Sequence, residues 1–284
     1  MAKPNQSTKE QPFLEHLEEL RWRLLYAALY VVGFAILAFL FHGFIFDQVI
    51  LAPKSPEFLT NRLLCQLGEL TGFSMLCINA TPLEIINIKM AGQFSTHIKV
   101  SLLAGVIVSF PLIIREFWKF VKPALEEVEQ RVVTQSIFFS SLLFFMGVLF
   151  GFYIISPLSV NFLGGYHVSQ TVANQIHLGS YIATVSAVVL SSAVIFELPV
   201  LIYLLSRIGL VTPEFLKRYR KHAIVLILGM AAIITPPDVF SQVLVCLPLI
   251  ILYEAGIKIA RRIQRKEFPA PETYEENQEQ EDDK

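Results

Sequence analysis

Charge is scarce in this chain. Only 17% of its 284 residues are charged against 54% hydrophobic, with 23 phenylalanines and a mean hydropathy of +0.56. Soluble domains carry about 25% charge, so the composition excludes an ordinary soluble domain and reads as a membrane protein. Cysteine is nearly absent: Cys65, Cys77 and Cys246 have no second Cys or His pair at short range, which excludes the familiar zinc frameworks. No metal or cofactor is expected. HExxH, GxSxG, Walker and dinucleotide signatures are also missing, and the six histidines are scattered over different segments, so no enzyme is expected. A net charge of -1 offers no basic excess for nucleic acid. No internal repeat or inverted symmetry is visible, which argues against a transporter built from two halves.

What the chain does have is long apolar runs. A hydrocarbon core of about 30 Å needs roughly 20 residues of helix, and an isolated span must satisfy its backbone internally. Six segments meet or approach that length, at approximately 22–46, 94–114, 133–162, 178–208, 223–236 and 239–260. The first, "LLYAALYVVGFAILAFLFHGFIF", is too long for the about 7–15 apolar residues of a signal peptide and is expected to span and stay. The last two are separated by "TPPD" and predict a short hairpin in locally thinned lipid. The expected fold is therefore all-α, a polytopic membrane protein with six transmembrane helices, the last two short.

Lysines and arginines set the orientation. Placing both termini in the cytoplasm collects there Arg21 and Arg23, then Arg115, Lys119, Lys122 and Arg131, then Arg207 to Lys221, then the Lys258–Lys266 cluster. The opposite choice leaves little more than Lys54, Arg62 and Lys89 inside, so N-in/C-in is expected in a cytoplasmic (inner) membrane. The long exported loop, 47–93, holds two amphipathic stretches, "FLTNRLLCQL" and "PLEIINIKMAGQF", expected to form interfacial helices or a cap. Cys65 and Cys77 fall there, and both a bridge and two separate thiols are open. Residues 1–12 read as a cytoplasmic tail, 13–262 as the membrane domain, and 263–284 as an acidic tail expected to be disordered, since its last eighteen residues hold eight acids and one base.

The informative charges are those in costly or unexpected places. Glu197, in "SSAVIFELPVLIYLL", lies inside the fourth span, where an ionised carboxylate costs several kcal/mol unless paired, hydrated or protonated. Either it performs a function or it bonds a Ser or Thr of a neighbouring helix. Pro199, two residues on, removes a helix hydrogen bond and kinks the span. In "REFWKFVKPALEEVEQRVV", Pro123 suits a first helical turn and Glu126, Glu127 and Glu129 its positive end. Glu127 pairs with Arg131 at i, i+4, which leaves Glu129 the freer carboxylate. In "FLEHLEELRWRLL", Glu19 can bond Arg23 at i, i+4 and Glu18 can reach Arg21 at i, i+3, yet acids clustered where bases are wanted also suit recognition of a cation.

Four stretches together, "FLEHLEELRWRLL", "FWKFVKPALEEVE", "FELPV" and "TPPDVFSQ", resemble the TatC family, the multispanning receptor subunit of the twin-arginine protein translocase. The likeness runs over roughly residues 13–262 in order. It implies a receptor for twin-arginine signal peptides on folded cargo, working with single-span TatA and TatB, with further copies of itself and with membrane lipid, and drawing on the proton-motive force. By motif, Glu19 and Glu129 match the two glutamates that bind the arginine pair, Phe120 an aromatic beside that pocket and Arg21 the basic member of the first motif. Glu197 matches the polar residue of the fourth span and Asp238 the acid of the last hairpin. Pro53 matches a family position, but Lys54 follows it where the family usually has an apolar residue, and the first exported loop is longer than the family minimum. The competing expectation is a proton-coupled secondary transporter using Glu197 as its proton site.

Overall fold

The computed structural model describes residues 13–72, 77–79, 83–121, 130–169, 171, 174–207, 209–234 and 239–267. It is mostly helical. Helix α1 runs Phe13–Leu40, α2 Leu59–Thr71, α3 Gly92–Val121, α4 Gln130–Phe150 and α5 Ser156–Gly165. Then come α6 Leu178–Phe196, α7 Leu198–Arg207, α8 Pro213–Arg218, α9 Arg220–Ile234 and α10 Val239–Glu267.

Among the described residues, five stretches are long and apolar enough to cross a membrane: Leu17–Leu40, Gly92–Val121, Gln135–Gly165, Leu178–Arg207 and Gln242–Gln264. They answer the first four and the last of the expected spans. The fifth, α9, has 15 residues and so reaches only about 22 Å, short of a full crossing. Large apolar side chains such as Leu24, Leu29, Ile36 and Leu40 point outward and exposed along α1. Polar groups are instead gathered inside, which is the inverse of a water-soluble surface and suits lipid.

Two close approaches position the polar clusters described below. A Cβ on Gly105 of α3 would lie 2.6 Å from the Val31 carbonyl and 2.9 Å from Ala35 Cβ of α1. The two helices therefore touch backbone to backbone, antiparallel, as the stacking of Phe39 on His97 at a centroid distance of 3.8 Å shows at the other end. A Cβ on Gly147 of α4 would lie 2.7 Å from Ala193 Cα and 2.9 Å from the Ser192 carbonyl of α6. Small residues at such contacts let spans approach closely where no hydrophobic drive between helices exists.

The loop between α1 and α3 folds into a cap. A wide helical turn, Phe44–Ile50, leads into a tight one, Ala52–Lys54, and then α2. Cys65 and Cys77 are joined by a disulfide. The first amphipathic stretch is the expected helix, α2. The second is not: Ile85–Ile86 form strand β1 and pair in parallel with Ile176–His177, strand β2, before α3 begins. Two adjacent β-branched residues favour the extended pairing, and it ties the loop before α3 to the loop before α6.

Pro53 belongs to this cap. It is fully buried, and its carbonyl accepts from Asn61 Nδ2 at 3.1 Å and Asn79 Nδ2 at 3.3 Å. Asn79 Nδ2 also donates to the Pro157 carbonyl at 3.0 Å, its backbone N–H donates to Asn161 Oδ1 at 3.0 Å, and the residue sits at φ 50°. Lys54, the departure from the family pattern, donates to the Leu83 carbonyl. Asn79→Ala leaves those buried carbonyls short of donors at a left-handed position asparagine tolerates well, an expected cost of about 2–3 kcal/mol to the cap. Limited proteolysis checks it: cleavage within residues 51–91 should accelerate at least about tenfold. An unchanged rate would remove Asn79 from the cap's stability.

Candidate functional site

The first polar cluster lies where the start of α1 meets the end of α3. Gly105 sets the register. Glu116 is eleven residues beyond it, about three turns, and Arg23 eight residues before Val31, about two turns, so both return to the shared face. Arg23 Nη2 donates to Glu19 Oε1 at 2.9 Å, one turn back on its own helix, and Nη1 donates to Glu116 Oε2 at 3.1 Å on α3. Lys119 Nζ completes the group, donating to Glu116 Oε1 at 2.6 Å.

Burial is uneven across the cluster. Glu116 is 3% exposed, whereas Glu19 and Arg23 keep 25% and 27% of their side-chain surface. A carboxylate that deep needs both of its cations, so the Glu116 end is fixed and the Glu19 end is reachable. Among the described residues, the second carboxylate oxygen of Glu19 has no partner, and the Arg23 Nε–H is buried without one. The four charges cancel. An arriving cation therefore meets a balanced group with one accessible carboxylate edge.

The second cluster lies between α6 and α7. Glu197 is the one residue separating the two helices; its N–H turns back to the Val194 carbonyl at 3.1 Å, while Val200 and Leu201 donate to the Glu197 carbonyl. Pro199, buried on the first turn of α7, supplies the break because it has no N–H to continue the ladder. The helix is thus interrupted where the proline predicts it. Ser140, seven residues before Gly147 on the same face of α4, donates to Glu197 Oε2 at 2.7 Å. Glu197 Oε1 is buried and, among the described residues, has no hydrogen-bond partner. The serine bond expected for Glu197 is therefore present at one oxygen, and the other oxygen has no partner among the described residues.

The remaining expected residues fall as follows. Phe120 stands one turn beyond Glu116, on the same side of α3 as the charged cluster, and is half-buried. Arg21 and Glu18 are exposed on α1. Pro53 lies in the cap at the opposite end of α1, away from the Glu19 cluster. Glu129 and Asp238 lie outside the described residues, as do both tails. The Glu19–Arg23 pair anticipated from i, i+4 spacing is present.

Sequence reading passed over Glu116. Its signal was there: an acid one turn before a lysine at i, i+3 and four residues before Phe120, in a helix otherwise apolar enough to cross a membrane. The richer acidic run at 126–129 outweighs it in the sequence. Ser140 gave no signal, since a serine in a span is ordinary until its neighbour is known.

Residues 15–248 match the family model described as Sec-independent protein translocase protein (TatC). The Sec-independent protein translocase protein TatC of Blattabacterium from Periplaneta americana is 37% identical over 259 residues, covering 90% of this chain and 97% of that protein. The TatC of Desulforapulum autotrophicum is 36% identical over 277 residues, covering 97% and 94% respectively. A crystal structure of the twin-arginine translocase receptor TatC is 32% identical and superimposes with a TM-score of 0.66, covering 88% of this chain and 100% of that one.

Proposed function

The chain belongs to the TatC family of Sec-independent protein translocase proteins, and from that premise we propose that it is the receptor and core subunit of a twin-arginine translocase. Its cytoplasmic face binds the consecutive arginines of signal peptides on folded proteins. It then assembles with TatA- and TatB-type single-span partners, and with copies of itself, for export driven by the proton-motive force. On this reading the chain recognises and assembles and makes or breaks no covalent bond.

The observation that carries the reading is the partly exposed Glu19 carboxylate, held at the α1–α3 junction with one oxygen unpartnered among the described residues. A guanidinium presents parallel donors that fit such a carboxylate, whereas an ammonium is a point charge. Glu19 and Glu129, from separate segments, then read the two arginines, with Phe120 packing beside them and Arg21 exposed at the rim. Asp238 is proposed to hold the last hairpin, and Pro53 to serve the cap.

The proposal includes six spans, α9 and α10 forming the short hairpin, with both termini in the cytoplasm of a bacterial inner membrane. Residues 13–262 make the membrane domain, flanked by tails 1–12 and 263–284. Two independent features support this orientation: the distribution of Lys and Arg, and the Cys65–Cys77 bridge in the loop it assigns to the oxidising side.

Site-specific photocrosslinking tests the pocket. A photoreactive residue at position 19 or 129 is expected to capture a twin-arginine signal peptide at least about tenfold more than its twin-lysine counterpart. Equal capture of the two peptides would sink the pocket.

A further inference from the structure

The proposed arginine site already holds an arginine of the chain itself. Arg23 spreads its two terminal nitrogens over carboxylates from two helices, Nη2 on Glu19 at 2.9 Å and Nη1 on Glu116 at 3.1 Å. That is the same chemistry the preceding section assigns to an arginine of the signal peptide. The two halves of the contact are unlike. Glu116 is 3% exposed and doubly held, by Arg23 and by Lys119 at 2.6 Å. Glu19 is a quarter exposed, and its bond to Arg23 is an i, i+4 pair of the kind that opens readily in water. Arg23 itself is incompletely satisfied, its Nε–H being buried without a partner among the described residues.

Resting on the reading of Glu19 as an arginine acceptor, we propose that Arg23 is an internal occupant of the signal peptide's arginine site. Signal-peptide binding is then an exchange on Glu19. The incoming guanidinium takes the Glu19 carboxylate, and Arg23 withdraws onto Glu116, which keeps it from being stranded as an unpaired cation. Glu116 is a positioning residue: it touches Arg23, and through Arg23 it decides how often Glu19 is open. The exchange explains why Glu116 is buried and fixed while Glu19 is not. It also keeps Glu19 partnered when no cargo is present, so an empty receptor does not attract every passing cation.

The occupant lowers affinity by the fraction of time it covers Glu19. If such a pair is closed roughly three to ten times as often as it is open, removing it tightens peptide binding by about three- to tenfold. A merely structural role predicts the reverse, because loss of Arg23 would misplace Glu19. A simple field effect is separated by Arg23→Lys, which keeps the charge but has no fork to span both carboxylates.

The experiment is fluorescence anisotropy with a labelled twin-arginine signal peptide and the full-length protein in lipid nanodiscs. Arg23→Lys and Arg23→Gln are each expected to bind about three- to tenfold tighter than the parent. Glu116→Gln removes the retreat, leaves Arg23 on Glu19 alone and is expected to bind about three- to tenfold weaker; adding Arg23→Gln to it restores at least parental affinity. The double variant also guards against misfolding, since it neutralises the ion pair as a unit. The exchange is overturned if Arg23→Lys binds no tighter than the parent, or if the double variant is as weak as Glu116→Gln. Glu19→Gln and Glu129→Gln distinguish the two levels of the argument. If both bind like the parent, the pocket fails and the exchange with it; if both lose binding while Arg23→Lys is unchanged, the pocket stands and the exchange alone falls.

Discussion

Glu19→Ala is expected to weaken binding of a twin-arginine signal peptide by about 2–3 kcal/mol, roughly 30- to 150-fold. The figure lies toward the low end for a severed charge pair because a quarter of the Glu19 side chain remains in contact with solvent, where screening softens the loss. Fold stability should hardly change. The Glu19–Arg23 bond is a partly exposed pair worth about 1 kcal/mol, and Arg23 keeps Glu116 when Glu19 is gone. Glu19→Gln should lose nearly as much affinity as alanine, since an amide keeps the size and an acceptor oxygen but not the charge. Anisotropy of a labelled peptide, run beside thermal unfolding of the same preparation, checks both halves. A loss of less than about threefold, or a loss of binding matched by a fall in unfolding temperature, would show that Glu19 is not the acceptor.

The same pair shows how far a single sequence goes toward such a site. Helix periodicity alone relates Glu19 to Arg23, because residues four apart share a face. It cannot relate either of them to Glu116, which is 93 positions away and meets Arg23 only because Gly105 lets α3 lie directly on α1. Long apolar runs announce four of the spans and α10 with little ambiguity, since lipid permits nothing but helix there. The break at Glu197 was legible for an equally local reason, the missing N–H of Pro199. The cap was less so. Whether Cys65 and Cys77 pair, and whether Ile85–Ile86 coil or extend, is decided by what the chain meets at Asn161 and Ile176. Short amphipathic stretches carry too little local preference to say so in advance.

Glu197→Ala is expected to leave signal-peptide binding within about threefold of the parent while reducing export of a folded twin-arginine reporter at least about tenfold. The separation follows from geometry. Glu197 takes its described hydrogen bond from Ser140 on α4, while Glu19 takes its own from Arg23 at the α1–α3 junction. Its Oε1 is buried and unmet among the described residues, and a buried acceptor without a donor costs about 1–3 kcal/mol. A donor from a partner helix or an inserted signal hairpin would recover that energy, which at this magnitude corresponds to a factor of about 5–150 in assembly. The alanine variant gives up the recovery and also the original cost, so its unfolding temperature should stay level or rise even as export falls. Loss of transport without loss of stability distinguishes a group kept for a partner from one kept for the fold. Glu197→Gln, which retains an acceptor for Ser140, should export better than Glu197→Ala. Were Glu197→Ala to unfold earlier and export in proportion to the protein that survives, Glu197 would be a structural carboxylate satisfied by Ser140 alone; were it to export normally, Glu197 would have no part in transport.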